Sequence, residues 1–393
     1  MIYLITAILL IFISNAVALL IIAGGDITQY VDIMDICRML DETAEQCTAV
    51  ASHAGWVGCL AAVILFVLLI LTNRRFPPSV NAMQLQNGAF VAFAPLVMAV
   101  VGYELWIELK SPWPIYQYEV YHSEIAGGSA ALSLGNFIWP LCLQFANSAT
   151  TIKWRILFLS LLAPILAESP FRGVILAVAI FGIAAPAIER AVAHIRSYGF
   201  EFRQAAIYGS IVLVGLVAMT AELAIQTKNR TTNLEVTGGA FWQLKEKLRQ
   251  RIAIPLYQAH LALADDIDQQ VPSISDEVLT KLRLRNATGI NGYLYQMTHP
   301  NATYGETTSL YFGEAALRTA APPLIWCVVA PFILVLLWVA LRRYGYASGA
   351  LIGIAIWRGS LGGIVGIVPA LAFQLALLMV LTFVFKAEQS HDR

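Results

Sequence analysis

The feature that most constrains this chain is a succession of apolar stretches, each about as long as a membrane is thick, divided by short polar connections. They fall near 3–23, 55–72, 88–108, 130–147, 154–168, 172–189, 205–225, 321–341, 346–357 and 361–385. A helix needs about 20 apolar residues to cross the hydrocarbon core, so the fifth and ninth stretches are short. Of the 393 residues only 13% are charged, against about 25% in soluble domains. A soluble chain of this length could not solvate its surface with so few charges. The sequence therefore implies an all-α polytopic integral membrane protein with about ten transmembrane helices. The first stretch has no basic n-region and no clean small-residue cleavage site, which reads as a retained helix rather than a signal peptide.

Orientation follows from the basic residues. The connections at 73–87, 148–155, 189–204 and 342–345 and the tail after 385 alternate onto one side and hold Arg74, Arg75, Lys153, Arg155, Arg190, Arg196, Arg203, Arg342, Arg343, Lys386 and Arg393. The connection after the first stretch instead contains Asp26, Asp32, Asp35, Asp41, Glu42 and Glu45 against a lone Arg38. The positive-inside rule puts both termini in the cytoplasm. The chain then divides into 1–225 with seven helices, a large outer loop domain at 226–320, and 321–393 with three helices and a cytoplasmic tail.

The long polar segment reads as ordered and helical. Phe241 to Arg249 repeats apolar positions at helical spacing, and Pro255 is expected to kink or end that helix. Ser275-Asp276-Glu277 before Val278-Leu279 reads as a second helix start, with a cap and early acids. In the loop at 109–129, Trp113, Tyr116, Tyr118, Tyr121 and His122 suit either an interfacial aromatic belt or a surface for sugars.

A formal net charge of zero, from 25 basic and 25 acidic residues, argues against nucleic acid as a partner, which would need a basic stripe. The five cysteines lie at 37, 47, 59, 142 and 327 with no paired metal spacing, so a structural zinc is not expected. Only Cys37 and Cys47 share a loop. They would pair if that loop faces an oxidising compartment.

Two arginines sit where a membrane disfavours them. Arg172 lies in Glu168-Ser169-Pro170-Phe171-Arg172-Gly173, between the fifth and sixth stretches, and Arg358 in Trp357-Arg358-Gly359-Ser360-Leu361-Gly362, between the ninth and tenth. Both connections are tight and on the outer side. A guanidinium offers a planar fork of donors that matches phosphate, and an adjacent glycine lets a backbone approach closely, so the pair suits an anion site at the outer leaflet. Snorkelling to lipid headgroups is the plainer reading, on which Glu168, four residues earlier, is simply the salt-bridge mate of Arg172.

The outer segment adds Arg249 and Arg251 ahead of Tyr257 and His260. If the helix continues through Pro255, Arg251 and His260 are expected on related faces; the alternative is an amphipathic helix lying on the membrane. Further on, the turn-rich His299-Pro300-Asn301 stretch leads to Tyr311-Phe312-Gly313-Glu314. A histidine there can serve as a general base near neutral pH, or be a bystander.

These residues together resemble the bacterial lipid-linked oligosaccharide polymerases (Wzy-type) and the related O-antigen ligases. The resemblance covers about a third of the chain: the Ser169 to Gly173 turn, the late outer loop running from its arginines to His299 and Gly313-Glu314, and the Trp357 to Gly362 segment. It implies a GT-C-like enzyme that joins undecaprenyl-diphosphate-linked repeat units at the periplasmic face of the inner membrane, without metal or other cofactor. Donor and acceptor would both be lipid-linked glycans, with a chain-length regulator and a flippase as further partners. Carried over, Arg172, Arg251 and Arg358 would neutralise the departing diphosphate, and His299 would take the proton of the attacking hydroxyl. Arg249, Glu168, Tyr257 and Glu314 would line the substrate site. The chain departs from the family in having fewer spans, a modest loop at 109–129, and two residues between the serine and arginine of the first turn. Transfer to a different acceptor, a secondary transporter with spans five and nine as broken helices, and a non-catalytic scaffold remain the other readings.

Overall fold

A computed structural model of the chain describes residues 2–24, 31–75, 87–110, 130–149, 151–167, 252–260, 322–341, 346–358 and 361–384, with isolated positions at 180–181, 184–185, 187–188, 191–192, 209–210, 249, 273, 275–276 and 279. All regular structure among them is helical. In chain order the longer elements are α1 (Ile2–Ala23), α2 (Val31–Met39), α3 (Ala44–Arg75), α4 (Asn87–Lys110), α5 (Ala130–Ser148), α6 (Ile152–Ala167), α7 (Pro323–Leu341), α8 (Tyr346–Arg358) and α9 (Leu361–Val384).

Among the described residues, Tyr3–Ala23, Ala44–Asn73 and Pro323–Leu341 are long and apolar enough to cross a membrane, and Gly88–Tyr103 and Ile367–Leu381 are shorter apolar helices. The outward surface of these helices is apolar too. Leu20 on α1, Leu60 and Val67 on α3, Ile333 on α7 and Phe383 on α9 are all exposed. An apolar surface this extensive is at home in lipid. The expected sixth and seventh spans, 172–189 and 205–225, lie for the most part outside the described residues.

The helices that are described coincide with the apolar stretches at most ends, with one instructive exception. The connection expected after the first span contains α2, and α3 starts at Ala44 rather than near 55. Local hydrogen-bond chemistry explains both. The N–H of Glu42 bonds to the carbonyl of Cys37 at 3.1 Å and that of Asp41 to Arg38 at 3.1 Å, the paired bonds of a Schellman ending. That motif needs a left-handed residue just past the helix, and Asp41 supplies it with φ 51°. Aspartate tolerates this conformation better than most side chains. Immediately afterwards Thr43 caps α3. The Gln46 N–H donates to Thr43 Oγ1 at 3.3 Å, and the Thr43 N–H donates back to Gln46 Oε1 at 3.0 Å. This reciprocal box satisfies two orphan donors and starts the helix well before its apolar stretch. Cys37 and Cys47 are disulfide-bonded across the same turn.

α1 and α3 run antiparallel. Cβ atoms built on Gly55 and Gly58 would lie 2.9 Å from Leu19 and 2.6 Å from Asn15, so both glycines admit the facing helix. α3 also packs on α7, while α4, α5 and α6 form a neighbouring group. Phe90 and Phe93 of α4 meet Phe145 of α5 at ring separations of 5.2 and 4.2 Å, and Phe158 of α6 joins them.

The short ninth stretch proves to be the centre of the packing. α8 has 13 residues, roughly 20 Å at 1.5 Å per residue, against a hydrocarbon core of about 30 Å. It touches α1, α5, α7 and α9, and every residue from Gly349 to Ile356 is buried. A helix too short to span is tolerated at membrane depth where protein, not lipid, surrounds its ends.

Candidate functional site

A second, smaller core sits where α1 ends and α3 begins. It joins Ala18, Ile21 and Ile22 of α1, Ile33 and Ile36 of α2, Ala51 and Ala54 of α3 and Cys327 and Ala330 of α7 to Ala253, Leu256, Tyr257 and Ala259 of the segment 252–260. The segment 252–260 is therefore docked on this end of the bundle as a helix about two turns long.

That helix runs through Pro255, so of the two outcomes expected there, a kink or an end, the helix does not end. Burial of the four apolar residues around Pro255 offsets its missing N–H, so tertiary packing overrides the local preference. By spacing alone, at about 100° per residue, an unbroken helix would set Arg251 and His260 on opposite faces and Arg249 and His260 on one.

Arg249 is helical, and its guanidinium reaches the end of α1. A Cβ built on Gly24 would lie 3.9 Å from Arg249 Nη2. The last turn of α1 contains no basic residue, and the carbonyls at a helix C-terminus carry partial negative charge, so a cation there is favourable. Tyr257 is fully buried, with its hydroxyl 3.3 Å from Thr48 Oγ1 on α3. Burial pushes the phenol above its ordinary range, against a smaller lowering from the Thr48 hydrogen bond. In this structure Tyr257 is a packing residue that anchors the docked helix.

At the end of the same helix His260 Nε2 lies 2.6 Å from Glu42 Oε2. The histidine side chain is only 7% exposed and the glutamate 28%. The contact bridges 218 residues of sequence and joins the docked helix to the turn built by Asp41 and Thr43. Sequence reading missed Glu42 entirely, counting it only as one of six acids. Nothing local marks it as the partner of His260, although Thr43-Ala44-Glu45-Gln46 is a recognisable capping box that would have placed the turn.

Of the other residues singled out from the sequence, Arg358 is the last residue of α8. Arg172, Glu168, Arg251, His299 and Glu314 lie outside the described residues. In the expected helix near 275 the cap is Ser273, two residues earlier than expected: Asp276 N–H donates to Ser273 Oγ at 3.1 Å, and Ser273 Oγ donates to Asp276 Oδ2 at 2.7 Å. Within the apolar helices the sequence reading passed over Gln374 of α9. It is fully buried, and neither end of its amide has a partner among the described residues. Buried polar groups at membrane depth are costly.

Replacing Cys37 and Cys47 together by serine should lower the stability of this end of the molecule by about 3 kcal/mol, the chain-entropy value for so short a loop. Protease nicking of the segment 226–320 under native conditions reads this directly. An unchanged nicking rate in the double variant would show that the capped turn holds by itself.

No family model, curated protein or solved structure matches this chain.

Proposed function

We propose that the chain is a glycosyltransferase that polymerises undecaprenyl-diphosphate-linked oligosaccharide repeat units at the periplasmic face of a bacterial inner membrane. The observation that carries this reading is the docking of the helix 252–260 over the end of apolar helices, with Arg249 at the terminus of α1. A lipid-linked diphosphate presents its charge at that depth, beside an apolar tail that the bundle surface accommodates. The Cys37–Cys47 disulfide supports the proposed sidedness, because such bonds persist in oxidising compartments such as the periplasm.

On this reading ten spans place both termini in the cytoplasm and 226–320 outside, in a GT-C-like arrangement. Arg172, Arg251 and Arg358 bind the diphosphate, with Arg249 and Glu168 supporting them and Glu314 contributing to the sugar site. His299 takes the proton from the acceptor hydroxyl as the glycosidic bond forms and the diphosphate departs. A leaving diphosphate gains charge as its bond breaks, and fixed guanidiniums in a poorly solvated site stabilise that charge without reorganising.

The test is deletion in the native host followed by gel analysis of surface and lipid-linked glycans. Loss of long chains with accumulation of single lipid-linked units supports polymerisation. Long chains stranded on their carrier would make the reaction a ligation instead, and an unchanged profile in a host with no second such enzyme would overturn the reading. The topology has its own check: protease added to spheroplasts should cleave within 226–320, and cleavage only in inverted vesicles would reverse the orientation.

A further inference from the structure

We propose that Cys37, Cys47, Glu42 and His260 form a zinc-binding site that the disulfide closes and that reduction opens. The argument is independent of the glycan chemistry above. One ligand atom each from Glu42, Cys47 and His260 lies within 4.8 Å of the others. Cys37 Sγ is bonded to Cys47 Sγ and so adjoins the same point. Ligands around a tetrahedral zinc, at about 2.0–2.3 Å from the metal, stand roughly 3.5 Å from one another. Glu42, Cys47 and His260 need to close by only about an ångström to reach that spacing, while the two sulfurs separate to it once their bond is reduced.

The site is also built rather than accidental. Cys37, Glu42 and Cys47 are spaced five residues apart across one turn, and the Schellman ending of α2 and the capping box of α3 fix its backbone. His260 arrives on a helix anchored by Leu256 and Tyr257. Cys37 and Cys47 are buried, as is the imidazole. The ring uses Nε2 toward Glu42, while Nδ1 is buried with no partner among the described residues. A buried ring nitrogen without a hydrogen bond is costly, and coordination would use it or reorient the ring to satisfy it.

As a disulfide, the two sulfurs are not thiolates and cannot serve as ligands. A dithiol reductant transfers two electrons and two protons to the S–S bond, becoming a disulfide itself and leaving two cysteine thiols. A zinc ion then displaces the two thiol protons to solvent and takes Cys37, Cys47, the Glu42 carboxylate and the His260 imidazole as ligands. Either state tethers the docked helix to the α2–α3 turn: the oxidised one through the disulfide-braced contact of His260 with Glu42, the reduced one through the metal. The attachment of the outer segment then survives loss of the disulfide, provided zinc is present.

The experiment uses the full-length protein in detergent, with and without dithiol treatment, followed by removal of the reductant and addition of zinc or cobalt. The reduced protein should retain one equivalent of zinc per chain and the oxidised protein none, and bound cobalt should show a thiolate-to-metal charge-transfer band. Glu42→Gln and His260→Ala should each weaken retention at least about tenfold, while alanines at Cys59, Cys142 and Cys327 leave it intact. Zinc retention that survives serine at both Cys37 and Cys47, or no retention by the reduced protein, overturns the site. Should the His260 variant fail to fold, alkylation of wild-type Cys37 and Cys47 decides the matter. Zinc must protect both from the reagent, and equal labelling with and without metal rejects the proposal.

Discussion

Gly353→Leu is expected to destabilise the bundle by more than about 3 kcal/mol, beyond the usual range for an overpacked core, and to yield protein that elutes as aggregate from size exclusion in detergent. A Cβ built on Gly353 would lie 2.7 and 2.8 Å from ring atoms of Phe181, a separation that side chains do not tolerate. Phe181 is itself fully buried and faces Trp357, so its ring has no free space to enter. One turn earlier, Gly349 meets Tyr3 and Trp338 at 2.9 and 3.0 Å. Two glycines four apart lie on one face of α8, where the first admits Tyr3 and Trp338 and the second, one turn on, admits Phe181, which is how small residues bring helices together in lipid. Gly353→Ala isolates the steric contribution. Alanine favours a helix over glycine by about 1 kcal/mol, so a net loss of stability in that variant can come only from the Phe181 contact. A Gly353→Leu protein with the wild-type melting temperature would show that Phe181 does not pack there.

The second large effect concerns the proposed reaction. Arg172→Ala and Arg358→Ala should each abolish polymer formation while the protein still inserts at wild-type levels, because each removes a phosphate contact and no span. Removing one donor that stabilises developing charge costs about 10²–10³-fold in rate, enough to erase long glycan chains from a gel. Lysine at either position should restore part of the activity, since it keeps the charge and loses the fork geometry. Wild-type glycan in both alanine variants, with expression matched by immunoblot, would remove both arginines from the mechanism.

How far the sequence could be read depended on the range of the interaction involved. The apolar stretches for α1, α7 and α9 were legible nearly to the residue, because span length is a local property set by membrane thickness. The α2–α3 turn was legible in principle: a Thr-x-x-Gln box is local, yet the acidic composition of the segment drew attention to its charge instead. Pro255 shows the opposite case. A rule about local backbone predicted a kink or an end, and the helix does not end there, with Leu256 and Tyr257 buried against α1, α3 and α7.

What the sequence alone determined is that this chain is helical and apolar, with a long polar segment between its seventh and eighth apolar stretches. Periodicity, span length and charge scarcity are each written in consecutive residues and need no partner to take effect. Only the tertiary structure decided that the thirteen residues of α8 lie at the centre, that the helix 252–260 returns to the start of the chain, and that Glu42 meets His260 across 218 residues. Those outcomes depend on which surfaces pack together, and complementarity between distant surfaces leaves no pattern in either segment by itself.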